Sequence, residues 1–181
     1  AGLRGKVNMV VQRGVNDSQI LPMALHFKKA GIPLRFIEFM DVGNHNHWDP
    51  ELVVSGEEIL ARLATETPFE PLPPSHFGEV ANRFRYLDDG SEFGVITSIF
   101  SPFCRNCTRA RLSADGRLFT CLFASKGHDL LGAMRASNPD DEQLYQMVAA
   151  LWRTRDDRYS ELRSAAGGQS PAKVEMSFIG G

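Results

Sequence analysis

The hydrophobic and polar positions change period several times along the chain. Lys6–Val11 (Lys-Val-Asn-Met-Val-Val) is a short apolar, β-branched run and predicts a largely buried strand. Gly14, Asn16 and Asp17 form a turn signal, with Asn16 or Asp17 able to cap a helix. Ile20, Leu21, Ala24, Leu25, Phe27 and Ala30 then recur at helical spacing over about residues 18–30, and Gly31 stops the helix. Pro33–Met40 predicts a second strand. Strand, helix and strand at these lengths make a βαβ unit, so the two strands are expected to pair in parallel. Asp41–Pro50 is polar and turn-rich, and a loop after a parallel strand is where such folds place chemistry.

Ser55 with Glu58 three residues on predicts a capped helix over Glu57–Ala64. Thr65–His76 holds Pro68, Pro71, Pro73 and Pro74 and reads as an extended connector. Phe84–Leu87 and Phe93–Thr97 flank Asp88-Asp89-Gly90-Ser91, a hairpin signal. A second hairpin joins Ala110–Ser113 to Arg117–Cys121 through Ala114-Asp115-Gly116. His128–Ala136 and Glu142–Thr154 read as helices, the latter with Leu144, Met147, Val148 and Leu151 on one face. The tail from Ser164 is small and Gly-rich and ends in Gly180-Gly181.

Composition narrows the function classes. Apolar residues are 43% and charged residues 23% of 181, as in ordinary globular proteins, and the net charge of −2 argues against bulk attraction to nucleic acid or a membrane surface. No apolar run reaches the length of a bilayer span, and no secretory leader opens the chain, so a cytoplasmic protein is expected. The first residue is Ala, and Ala1–Gly5 runs straight into a strand, which suggests a chain that starts partway through a larger protein.

All three cysteines fall in one stretch. Cys104 and Cys107 are separated by two residues, and the second hairpin returns Cys121 towards them. An odd, clustered set is a poor disulfide framework and suits a metal centre. Three thiolates fit a four-iron cluster with one iron open, or zinc with a fourth ligand such as His128 or Asp129. Spacing leaves both open. Arg105, Arg109, Arg111 and Arg117 crowd the same stretch, and in a strand Arg109 and Arg111 share a face. Adjacent guanidiniums repel unless an anion lies between them, and a polyphosphate suits their planar forks.

The residues also carry a resemblance. Lys6–Val11, Arg13-Gly-Val-Asn-Asp17, the run Leu34–Gly43, Cys104-Arg-Asn-Cys-Thr-Arg-Ala-Arg-Leu-Ser113, Gly116-Arg-Leu-Phe-Thr-Cys-Leu-Phe123 and the terminal Gly180-Gly181 stand in the order found in one family. The chain resembles the C-terminal part of the GTP 3′,8-cyclases, the radical S-adenosylmethionine enzymes of molybdenum cofactor biosynthesis. The resemblance implies that Cys104, Cys107 and Cys121 ligate a second [4Fe–4S] cluster whose open iron meets guanine. It implies GTP contacts at Lys6, Arg35, Arg109, Ala110 and Arg111, an S-adenosylmethionine contact at Met40, and a supporting role for the Gly180-Gly181 tail. The family reaction is radical: a deoxyadenosyl radical takes hydrogen from the ribose C3′ of GTP, and the carbon radical attacks C8 of guanine. A homodimer and a pathway neighbour, cyclic pyranopterin monophosphate synthase, are implied as well.

Read without the resemblance, Lys6 is a strand-edge charge, Arg35 a partner for Glu38, Met40 core and the Gly-Gly end frayed. The family's N-terminal Cys-x-x-x-Cys-x-x-Cys motif has no counterpart among three cysteines already assigned. The expected fold is therefore α/β: the last strands and helices of an incomplete parallel barrel over 1–66, then an α+β cluster and GTP-binding domain over 67–181. The chain alone is expected not to complete the cyclisation without the missing N-terminal half. A non-enzymatic zinc module, the auxiliary-cluster domain of a peptide-modifying radical enzyme and an electron carrier are the competing readings.

Overall fold

The computed structural model describes residues 5–136, 140–163 and 173–179, which form two compact units. The first takes in residues 1–40 and 48–107, the second residues 41–47 and 108–181.

The first unit is α/β around a mixed five-stranded sheet. Strand β1 (Val7–Val11), helix α1 (Ile20–Lys29) and strand β2 (Leu34–Glu38) form the expected unit, with β1 and β2 parallel and in register from Val7 opposite Leu34 to Val11 opposite Glu38. Helix α2 (Gly56–Ala64) begins where expected: Ser55 Oγ accepts the Glu58 N–H at 3.1 Å. The Glu58 carboxylate does not close the box. It pairs instead with Arg13 at 2.6 Å and Arg62 at 2.6 Å, so the Arg13–Asp17 segment ties the end of β1 to α2. Three further strands come next: β3 (Phe69–Leu72), β4 (Asn82–Tyr86) and β5 (Glu92–Ile96). The order is β1-β2-β5-β4-β3, with β5 parallel to β2 and the β5–β4 and β4–β3 pairs antiparallel.

Two expectations change here. Residues 69–72 form an edge strand where the prolines suggested a plain connector; an edge position tolerates Pro71, which has no N–H to give. The segment 67–107 belongs to the first compact unit, because β5 inserts beside β2 and extends its sheet.

Alternation decides what each sheet face meets. Met9, Val11, Phe36 and Val95 point to one side and pack under Ile20 and Ala24 of α1 and Ile59 and Leu63 of α2. Burying each such side chain contributes about 1.5–3 kcal/mol. Phe69, Phe84, Tyr86 and Phe93 extend this core as an aromatic group with ring centroids 4.8–5.4 Å apart. Positions of the other parity, Lys6, Asn8, Val10 and Arg35, face away from the two helices and stay exposed or half-buried.

The second unit carries a three-stranded antiparallel sheet, β6 (Arg111–Leu112), β7 (Arg117–Phe119) and β8 (His128–Asp129), with helices α3 (Leu131–Met134), α4 (Asp141–Arg153) and α5 (Tyr159–Leu162). The hairpin turn needs a left-handed residue, and Gly116 supplies it at φ 76°. Helix α4 starts on the Asp140 carboxylate, which accepts the Glu142 N–H at 2.9 Å. Leu144, Met147, Val148 and Leu151 are its half-buried face, as the spacing predicted. Residues 128–136 were expected to be one helix. They split into β8 and the single turn α3, since β7 offers His128 and Asp129 an edge to pair with.

Candidate functional site

Arg35 lies on β2 with its neighbours set by register: Asn8 on one side, Gly94 on the other, then Arg83 beyond Gly94 on β4. A cavity of about 150 Å³ opens over this row, lined by Lys6, Arg35, Arg83, Glu79, Glu92 and Gly94 among others. It lies at the N-terminal ends of the parallel strands. The structure thus brings two of the sequence-predicted residues, Lys6 and Arg35, into one pocket. Arg35 does not partner Glu38: the two have opposite parity on β2, and the Glu38 carboxylate is on the core side. There it accepts the N–H groups of Gly56 at 2.8 Å, Ile99 at 2.7 Å and Phe100 at 3.1 Å. Among the described residues, no side-chain hydrogen bond or ion pair occupies Lys6 or Arg35.

Gly94 keeps the row open. A Cβ there would stand 3.3 Å from Ala81 Cβ and 3.4 Å from Arg35 Cγ. Gly94→Val is therefore expected to push Arg35 aside and weaken anion binding at the pocket at least tenfold, about the value of one charge-assisted bond. Calorimetric titration with inorganic tripolyphosphate checks it.

Cys104 and Cys107 lie in a 3-10 turn, Cys104–Asn106, closed by the Cys107 N–H on the Cys104 carbonyl at 3.2 Å. This is the geometry a two-residue spacing allows, with both thiols half-buried. Both cysteines belong to the first unit and Cys121 to the second. Cys121, just past β7, has its sulfur accepting the Phe123 N–H at 3.4 Å. Among the described residues, no group of three Cys, His, Asp or Glu side chains is gathered for a metal ion. His128 is exposed on β8, and Asp129 accepts the Gly132 N–H at 2.8 Å. The donor type, thiols with one tight pair, is one that both an iron–sulfur cluster and zinc accept.

Arg109 and Arg111 are half-buried on either side of exposed Ala110; Arg109 and Ala110 precede β6, and Arg111 lies opposite Phe119 in the hairpin. Both are held by contacts within the protein. Arg117 is set apart by an ion pair with Asp115 at 3.0 Å. Met40 is half-buried just after β2. Gly180 and Gly181 lie outside the described residues.

Sequence reasoning missed a buried hub in the second unit. Asp41, only 8% exposed, accepts the Tyr159 hydroxyl at 2.6 Å and Lys173 Nζ at 2.8 Å, and pairs with Arg163 at 2.8 Å. Phe123 stacks on Tyr159 at 4.5 Å, and the Arg163 and Lys173 cations lie over these rings at 4.8–5.6 Å. Asn44 and His45 add bonds to Glu175 at 2.8 and 2.9 Å. The loop after β2 is thus a clasp for residues 173–175 and, through Phe123, for the segment beside Cys121. The partners are 118–132 residues apart in sequence, and the one sequence signal was the polar Asp41–His47 loop itself.

Burial opposes charge on Asp41, but the Lys173 and Tyr159 hydrogen bonds and the Arg163 charge outweigh it, and the carboxyl sits below its ordinary range. A depressed carboxyl contributes stability that is full above the unfolded value, about 3.9, and is lost as pH falls through the folded one. Protection of the Lys173 amide against exchange is expected to be full at neutral pH and to fall below pH of about 4; in Asp41→Asn the part of this fall that Asp41 carries is expected to be lost. Unchanged acid sensitivity in that variant would assign the release to another carboxylate.

Comparison with known proteins now decides the family. Residues 32–161 match the Molybdenum Cofactor Synthesis C family. The chain belongs to that family. Over 182 aligned positions it is 47% identical to proteins named GTP 3′,8-cyclase from Staphylococcus aureus strains MRSA252, JH9 and Newman. The match takes in 99% of this chain and 54% of those proteins, so the chain spans about half the length of the curated relatives it matches. No helix among the described residues is long and apolar enough to cross a membrane.

Proposed function

We propose that the chain is the C-terminal part of a GTP 3′,8-cyclase, which converts GTP to 3′,8-cyclo-7,8-dihydro-GTP in molybdenum cofactor biosynthesis. One observation carries the reading: 47% identity along 99% of the chain to enzymes of that name. The geometry supports it. The helix-free face of β1, β2 and β5 suits the inside of a parallel barrel whose other strands belong to the rest of the enzyme. Lys6 and Arg35 line one pocket of that face, and two cations in one pocket are what the phosphates of GTP would need. Arg109 and Arg111, with Ala110 between them, form a second anion-binding stretch.

Cys104, Cys107 and Cys121 would hold the second [4Fe–4S] cluster, which supplies an open iron to anchor the guanine base. Met40 would contact S-adenosylmethionine, the source of the radical in the complete enzyme. What this chain's own residues contribute is binding and alignment. A triphosphate held by fixed cations and a base held at its other end leave the ribose few orientations, and such restriction is worth several orders of magnitude in rate. None of these side chains is asked to move a proton. The pathway neighbour, cyclic pyranopterin monophosphate synthase, would take the product onward, and the complete enzyme would act as a cytoplasmic homodimer.

The test is anaerobic reconstitution with iron and sulfide, then metal analysis and absorption spectra with and without GTP. A brown protein with about four irons per chain and a spectrum altered by GTP is the expected result. A colourless protein with one zinc, indifferent to GTP, would overturn the reading in favour of a structural zinc module.

A further inference from the structure

The pocket over β2, β5 and β4 holds a third cation that neither the sequence pattern nor the resemblance singled out. Arg83 stands on β4 directly across Gly94 from Arg35. Two strand spacings put their Cα atoms about 10 Å apart, and the residue between them has no side chain. Both arginines line the same cavity of about 150 Å³, with Gly94 between them in the lining. That separation suits a short chain of phosphates, each end meeting one planar fork. Lys6 lines the same cavity.

Arg83 is held in place by its neighbours. Its NH2 donates to Glu92 Oε2 at 2.7 Å and its NH1 reaches the Pro73 carbonyl at 3.4 Å. Glu92 and the nearby Glu79 hold the guanidinium firmly in its charged form. Glu79 is itself engaged by the Ser75 N–H at 2.6 Å and hydroxyl at 2.9 Å. Glu92 is the more exposed partner, at 42% against 25% for Arg83. Water screens an ion pair of this kind and leaves it weak, so a phosphate can displace Glu92 at small cost. The three cations and two carboxylates of the lining leave one net positive charge, and displacing Glu92 raises what a polyanion meets.

We propose that Arg83 is an anion-contacting residue of this pocket, facing Arg35 across Gly94, with Glu92 as the stand-in it exchanges for phosphate. The inference rests on reading the pocket as the seat of the GTP phosphates, and the experiment separates the two. The chain is titrated calorimetrically with GTP, inorganic tripolyphosphate and guanosine, as parent, R35Q, R83Q and E92Q, with thermal unfolding recorded for each. R83Q is expected to weaken GTP and tripolyphosphate about tenfold, the loss of one charge-assisted bond, and to leave guanosine unchanged. E92Q, which removes the competitor, is expected to tighten tripolyphosphate several-fold. A purely structural Arg83 would lower the unfolding temperature in R83Q without this selectivity between ligands. If R35Q weakens tripolyphosphate and R83Q does not, the Arg83 proposal fails while the pocket stands. If neither weakens it, the pocket assignment fails and Arg83 with it. Should R83Q not fold, E92Q decides: unchanged tripolyphosphate affinity overturns the proposal.

Discussion

Replacing Cys121 with Ser is expected to take the reconstituted chain from about four irons to less than about one and to remove its visible absorption. A four-iron cluster with one open iron has three protein ligands, so losing one leaves two, and both of those lie in a single turn. Cys104→Ser and Cys107→Ser should behave alike, because the turn that presents them is closed by backbone, the Cys107 N–H on the Cys104 carbonyl, and survives loss of either sulfur. Metal analysis alongside circular dichroism separates ligand loss from unfolding. Retention of full iron in all three variants would sink the assignment. Loss of one zinc per chain, with no iron in the parent, would move it to the zinc reading. The Phe123 N–H on the Cys121 sulfur adds a finer expectation. N–H bonds to cluster sulfurs raise the reduction potential, so disordering that loop by Tyr159→Ala, which removes the ring under Phe123, should lower the potential before it lowers the iron content.

The local signals in the sequence carried a good part of this picture. Apolar runs of the right length gave β1, α1 and β2 because those strands are buried on one side by a helix of matching period. Ser55 and Asp140 marked helix starts because the cap is a one-turn interaction. Cys104 and Cys107 were legible as a pair for the same reason. What stayed hidden depends on distant pairing. β3 was masked by Pro71, a residue acceptable only because that strand ends up at the sheet edge. β8 is two residues long and exists through β7. The unit division turned on β5, whose parallel pairing to β2 joins residues 59 apart in sequence. The Lys6 and Arg35 pocket came from resemblance, and their common face from register, whereas Arg83 had no local signal: an Arg opposite a Gly means something only once the strands are aligned. The Asp41 clasp is the extreme case, built from four short segments with no shared period.

Glu38→Ala is expected to destabilise the first unit by about 3–5 kcal/mol, with the damage reaching the cysteine turn. Glu38 is fully buried, and its carboxylate is the acceptor for three backbone N–H groups. One belongs to Gly56, the first residue of α2, where the helix N-terminus favours an anion. The others belong to Ile99 and Phe100, in the turn that leads from β5 to Cys104. A methyl in its place leaves three donors without an acceptor in a site too crowded for easy repair: a Cβ on Gly56 would stand 2.5 Å from the Thr97 methyl. Glu38→Gln keeps the shape but loses the charge and turns one oxygen into a donor facing other donors, so a loss of about 1–3 kcal/mol is expected. Denaturant unfolding gives the size of both effects. The coupling to function is read separately, by iron retained after reconstitution at a temperature where the variant is still folded. Full iron in folded Glu38→Gln would mean that the cysteine turn holds its shape without the tie; reduced iron would make Glu38 a positioning residue for the centre, acting through the 99–107 segment. That outcome would also explain why a strand residue facing the helices, on the opposite side from the Arg35 pocket, is a carboxylate at all: the start of β2 carries the pocket cation on one face, and its last side chain, on the other face, ties down the cysteine turn.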